Sequence, residues 1–175
     1  MVSLKKFSTL QKIHLAGFAF TCIAGSLLHF VYDWSGQNKV VAAFSATNES
    51  TWEHLKLLWI PLVLFGVLEY FLYGRKQKNF LCVKYLAAVV GMSFITIAFY
   101  TISGVIGKNI DVINVSLFFI GAALTWKFSY KYMQTDRFSS PVCIPVCRVL
   151  AALTAVCFVV WTYNPPQLGI FISPM

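Results

Sequence analysis

Charge is scarce in this sequence. Only 11% of its 175 residues are charged and six are acidic, whereas an ordinary soluble domain carries about 25% charged residues. With 58% hydrophobic residues and a mean hydropathy of +0.71, the chain has too little polar surface to face water on every side. A soluble globular protein is excluded, and the solvent implied is lipid. Alternating ten-residue segments are missing as well, which excludes a membrane β-barrel. No internal repeat, low-complexity tract or long linker divides the chain, so residues 1–175 read as a single polytopic membrane domain. Nor is there a nucleic-acid-binding module. The +8 net charge therefore reads as topology and headgroup affinity, with the lipid bilayer and not nucleic acid as partner.

What is present is apolar and long. Five stretches, at 12–32, 52–73, 80–106, 110–132 and 145–163, each reach the roughly 20 residues that a bilayer requires. Lipid offers no partner to a free backbone group, so each must be helical. The expected fold is an all-α membrane protein, a bundle of about five transmembrane helices. Lys5, Lys6, Lys12, Arg75, Lys76, Lys78, Lys84, Lys127, Lys131, Arg137 and Arg148 fall on one side. Only Lys39, Lys56 and Lys108 fall on the other. The positive-inside rule then places the N-terminus in the cytoplasm and the C-terminus outside, in a plasma membrane crossed several times. Trp126, Tyr130 and Tyr132 read as an inner interfacial belt, and Trp52 and Trp59 as an outer one. The lysines, apolar run and AGS at 24–26 imitate a signal peptide, but the run continues to Val31, which favours an uncleaved first helix.

Outer loops contain no cysteine, so no structural disulfide is expected. Cys22 and Cys157 lie within spans, and Cys82, Cys143 and Cys147 on the basic side. The PVCIPVC segment has the spacing of a metal-binding pair, but its two prolines and the lack of a nearby histidine favour incidental cysteines.

Polar residues gather where the second span begins, in NESTWEHLK at 48–56. Ser50 and Glu53 have the spacing of a capping box, and Glu49 and Glu53 suit the positive end of the helix dipole. Asn48-Glu49-Ser50 is formally a glycosylation sequon, placed too near the membrane for modification to be expected. Capping leaves His54 and Lys56 unexplained. A helix N-terminus favours neutral, ligating imidazole at His54, and Glu53 is the local counter-charge for Lys56. An anionic substrate group is the sharper alternative for Lys56.

The first span supplies the other half. Gly17, Thr21, Gly25, His29 and Asp33 follow one i, i+4 row, whose small members admit a neighbouring helix and whose last two point inward at the outer level. His29, Asp33, Glu49, Glu53 and His54 thus form a candidate ligand set for zinc, manganese or iron. Glu53, Glu49 and Lys56 are the candidate catalytic groups. The competing reading is a polar network that only fixes helix packing. Asp111 reads as a cap of the fourth span, and Asn114, at the same level, as a candidate extension of the cluster. The VVAAF segment after the WSGQN turn is too short to span and suits either a dip into the interface or a cover over a cavity mouth. Pro61 frees the carbonyl of Leu57, kinks the second span and opens room beneath the motif. Glu69 lies about 24 Å along the helix from Glu53, one to two turns before Arg75 and Lys76, where a salt-linked or snorkelling carboxylate is the first reading and a proton- or ion-coupling site the second. His14 reads as interfacial, and LGIFI near the C-terminus as lying back over the outer surface or the cluster.

SLLHFVYDWSGQN at 26–38, NESTWEHLK and Glu69, with the ending YNPPQLGIFISP, resemble a family of small polytopic bacterial membrane proteins known as a domain of unknown function. The resemblance implies a helical fold in a bacterial plasma membrane and carries no catalytic role. Three classes of function compete, so whether the chain is an enzyme stays open. The first is a metal-dependent membrane hydrolase acting at the outer face on a lipid or small amphiphile. In it His29, His54 and carboxylates hold the metal, a remaining glutamate is the base, and Lys56 steadies an anion. The second is a transporter or membrane substrate-binding subunit using the outer cluster and Glu69. It would need a homo-oligomer or partner, because no inverted repeat is present. The third is a structural or accessory membrane protein.

Overall fold

The computed structural model describes residues 8–174. Lys5 and Lys6, two of the basic residues behind the topology expectation, lie outside the described residues. Among the described residues the chain is helical and has no strand. The helices are α1 (Thr9–Trp34), α2 (Lys39–Ala42), α3 (Thr51–Leu72), α4 (Phe80–Ile106), α5 (Asp111–Met133) and α6 (Cys143–Tyr163). All but the single turn α2 are long and apolar enough to cross a membrane. Their bounds stay within three residues of the expected spans.

Each helix starts or stops for a local reason. Ser8 and Gln11 form a full capping box ahead of α1. Gly107 ends α4 in the left-handed region, φ 76°, with its N–H on the Ser103 carbonyl at 2.8 Å. Gly36 (φ 67°) and Gln37 (φ 60°) turn the chain after α1, and the Asn38 side chain accepts from Val40 N–H at 2.8 Å to start α2.

Helix α3 is the centre of the bundle, with half of its apolar window buried. Helix α1 packs on α3 and α5, and α4 packs on α5 and α3. Helix α6 leans on α4 and α3 from outside, with only 11% of its window buried. Large apolar side chains such as Leu15, Ile23, Leu64, Val67 and Val159 stay exposed on the perimeter, the distribution expected where lipid replaces water as solvent.

Small residues set the closest approaches. A Cβ on Gly17 would stand 2.1 Å from the Trp126 ring, and one on Gly25 would stand 2.5 Å from the Leu57 carbonyl oxygen. That carbonyl is the one Pro61 frees by lacking an N–H. The sequence suggested room beneath it, but the backbone of α1 moves in and covers it. Trp126 is buried to 3% exposure, with its Nε1 donating to Thr21 at 2.9 Å, and Trp59 is buried to 5%. Both were expected at the interface. Each instead fills the core: Gly17 makes space for the Trp126 ring, and Trp59 packs against Tyr85 and Phe158.

The two ends of the bundle differ. One joins α1 to α3, α4 to α5 and the end of α6, and carries His29 and His54: the histidine end. At the other, the lysine end, Asn79 binds the carbonyls of Tyr132 (3.2 Å), Thr135 (2.6 Å) and Arg137 (2.9 Å), tying the start of α4 to the exit of α5. Most of the lysines and arginines lie by chain position at the lysine end.

Candidate metal site and its buried support

The α1–α3 contact carries the site. His29 and His54 meet across it with Nε2 atoms 3.2 Å apart. The Glu49 carboxylate, from the loop just before α3, reaches both, with Oε1 3.6 Å from His29 Nε2 and Oε2 3.4 Å from His54 Nε2. A tetrahedral centre with bonds of about 2.0–2.1 Å has edges of about 3.3 Å between ligand atoms. The imidazole pair, at 3.2 Å, and His54 with Glu49 Oε2, at 3.4 Å, lie close to that edge, and all three residues offer a ligand atom within 4.8 Å of the others. The site is open, because the histidine side chains are 31% and 32% exposed and Glu49 is 65% exposed.

Hydrogen bonding fixes part of the protonation. His54 Nδ1 lies 2.9 Å from the Ser50 carbonyl oxygen, which assigns the ring proton of neutral His54 to Nδ1 and leaves its Nε2 as a lone pair. The Glu49 carboxylate then faces that lone pair, an arrangement that a cation relieves. His29 is less well supported, since its Nδ1 is buried without a partner. As a metal ligand through Nε2 it leaves one buried N–H unmade, at about 1–3 kcal/mol. This is small beside the ~10–16 kcal/mol of a structural zinc site.

Asp33 does not join the group. Each i, i+4 step overshoots a full turn by about 40°, so four steps from Gly17 carry Asp33 about 160° around α1. Gly17, Thr21 and Gly25 are buried, His29 is half-buried, and Asp33 is exposed.

Glu53 and Lys56 are likewise withdrawn from the proposed chemistry. They pair at 2.7 Å with side chains 2% and 0% exposed. Lys56 also donates to the Ala42 carbonyl and to Thr162, both at 2.8 Å, which uses all three of its N–H groups. Glu53 accepts from Thr47 N–H and Thr47 hydroxyl at 2.9 Å each, with the Thr162 hydroxyl at 2.9 Å on its second oxygen. The capping box is half made: Ser50 Oγ accepts from Glu53 N–H at 3.4 Å, but Asn48 replaces Glu53 as acceptor for Ser50 N–H, at 2.9 Å. Burial explains the choice, because a buried carboxylate beside an ammonium is held by the partners that neutralise and saturate it. Neither residue is free to ligate a metal, accept a proton or hold a substrate anion.

The 32–50 connection covers this ion pair. Ser45 bridges it to α1, donating to Leu28 O and accepting from Tyr32 N–H, and Tyr163 of α6 donates to Lys39 O. The segment expected to cover a cavity mouth therefore covers the buried Glu53–Lys56 pair of α3, through Thr47 and the Ala42 carbonyl. Thr47, Ser45 and Thr162 carry no motif, and sequence reasoning passed over them.

Other candidates lie elsewhere. Asn114 donates to Asn109 at 2.6 Å, a local loop bond. Asp111 begins α5 but is no cap, since Ile110 holds that position without a side-chain bond. The C-terminal Gly169–Phe171 turn packs Phe171 on Trp52 and Trp161, with ring centroids 5.0 Å and 5.5 Å away, on the α3–α6 side.

Near the lysine end, Glu69 is fully buried and salt-linked to Lys84 of α4. The Lys84 ammonium sits 4.0 Å from the centre of the Trp126 ring. Tyr73 donates to Glu69 at 2.6 Å. Burial, and then the Glu69 carboxylate, push the Tyr73 phenol far up from its ordinary value, so it remains a donor. His14, expected at the interface, is buried beside them, between Leu10 O (3.0 Å) and Ser129 Oγ (3.1 Å).

A family model described as "Family of unknown function (DUF6512)" matches residues 2–175, so the chain belongs to that family. No curated protein and no solved structure matches it.

Proposed function

Starting from this membership in a family of unknown function, we propose that the protein binds a divalent cation through His29, Glu49 and His54 and uses it in membrane-embedded hydrolysis. The substrate class is a lipid or small amphiphile reaching the histidine end from the bilayer. The observation that carries this reading is the gathering of one ligand atom each from His29, Glu49 and His54 within 4.8 Å of one another, with the imidazole nitrogens 3.2 Å apart, on an end that stays open to a fourth ligand. Two imidazoles and a glutamate leave one position of a tetrahedral zinc for water, the arrangement of catalytic rather than structural sites. Bound water ionises near neutral pH. Held by His29, Glu49 and His54, a metal would supply hydroxide for attack on an ester carbonyl, and the proton released from that water would pass to the departing alkoxide. With Glu53 sequestered, no separate carboxylate base is assigned.

The excess of lysine and arginine at the other end supports an orientation with the histidine end outside and the lysine end in the cytoplasm, in a plasma membrane. A second reading follows from the unpartnered His29 Nδ1: His29 Nε2–H donates to His54 Nε2, and the pair merely pins α1 to α3. Elemental analysis of tag-free protein in detergent, beside a His29→Ala/His54→Ala variant, separates the two. Stoichiometric zinc, manganese or iron lost in a folded variant supports the metal site. Metal-free parent protein, even after incubation with each ion, overturns it and leaves the pin.

A further inference from the structure

At the lysine end, three cysteines distant in sequence come together. Cys82 is the third residue of α4, Cys143 the first residue of α6, and Cys147 lies one turn further along α6. Their sulfur atoms all lie within 4.8 Å of one another, and Cys143 and Cys147 are 3.8 Å apart. All five cysteines of the chain are free thiols. Cys82 and Cys147 are buried, at 1% and 4% exposure, and half-buried Cys143 is the way in. The prolines that argued against a metal pair do not disturb it. Pro145 falls in the first turn of α6, where its missing N–H has no intrahelical use, and Ser140 Oγ accepts from Cys143 N–H at 3.1 Å.

We propose that Cys82, Cys143 and Cys147 form a three-thiolate site for a soft monovalent cation, copper(I), separate from the histidine site. A trigonal centre with metal–sulfur bonds of about 2.3 Å, the length typical of zinc–thiolate bonds, requires sulfur–sulfur edges of about 4.0 Å. The cluster is near that size before any metal enters. Thiolates select copper(I), zinc or iron–sulfur clusters. Zinc in structural sites takes four ligands, and among the described residues no fourth histidine, cysteine or carboxylate belongs to the group. Copper(I) is the thiolate-loving ion satisfied by three. On binding, three S–H bonds break, three Cu–S bonds form and three protons pass to water, with no change of oxidation state.

The test titrates the full-length reduced protein in detergent, without oxygen, with copper(I) held by a chromogenic chelator. The expected result is one equivalent drawn from the chelator, with only sulfur neighbours in the X-ray absorption spectrum. Cys143→Ser, the least buried change, should weaken uptake at least tenfold. Cys157→Ser and His29→Ala/His54→Ala should leave it intact. Copper(I) should also protect Cys143 from maleimide in the unaltered chain, a readout that does not depend on any variant folding. No uptake from the chelator, uptake unchanged in Cys143→Ser, absence of protection, or a site filled by zinc in preference to copper(I) would each overturn the proposal.

Discussion

Gly25→Ala tests the α1–α3 contact most directly, because the change is one methyl group and lies one turn from His29. The new Cβ would stand 2.5 Å from Leu57 O and 2.6 Å from Phe118 Cζ. The Phe118 ring can swing aside, but the Leu57 carbonyl belongs to the backbone of the central helix. Ordinary contact begins at 3.4 Å, so α1 must retreat by about 0.9 Å. Metal ligands tolerate about 0.2 Å, and the His29–His54 separation of 3.2 Å lies on the helix that moves. Overpacking of this kind costs about 1–3 kcal/mol, and the expected loss in metal affinity is about 10–100-fold, comparable to losing an outer partner of a ligand. The assay pairs thermal unfolding in detergent with competitive zinc titration. Gly66→Ala, on α3 with nothing within 4 Å of its Cβ, is the control and should change neither. Full zinc affinity and parental thermal stability in Gly25→Ala would refute the claim that this close approach builds the site.

Three further outcomes follow from the same geometry. Glu49→Gln should weaken metal binding at least tenfold by calorimetric titration, while Asp33→Asn, on the exposed side of α1, should match the parent; equal losses would return Asp33 to the site. Lys56→Met strands a buried Glu53 and should cost about 3–5 kcal/mol of stability, most of it recovered in a Glu53→Leu/Lys56→Met pair; an equally unstable pair would deny that the stranded charge is the cause. Lys84→Met should destabilise through Glu69 by a similar amount, whereas Arg75→Met, whose guanidinium lies 4.4 Å over the exposed Phe71 ring, should shift the unfolding temperature little. A larger effect at Arg75 would deny that Lys84 is the counter-ion of Glu69.

The candidate site was legible in its members and not in its pairing. His29, Glu49 and His54 are exceptional residues in an apolar chain, and intramembrane ionisable groups point to function or packing by their cost alone. Which carboxylate would sit with the imidazoles was not legible. Glu49, Glu53 and Asp33 are chemically alike, and the choice depends on a drift of about 40° per step along α1 and on Thr47 and Thr162 closing around Glu53. Cys82 lies far along the chain from Cys143 and Cys147, so no spacing rule could join them.

The sequence by itself determined the solvent, the number of spans and their ends, because apolar length and backbone satisfaction in lipid allow few alternatives. It also marked Gly17, Thr21 and Gly25 as a contact stripe. Only the tertiary structure decided the partners: Trp126 against Gly17, Leu57 O against Gly25, Glu69 with Lys84, and the three sulfurs in one cluster. In lipid no hydrophobic force ranks one helix face against another. Contacts are then chosen by shape and by the pairing of buried polar atoms, which exist only once the helices have met.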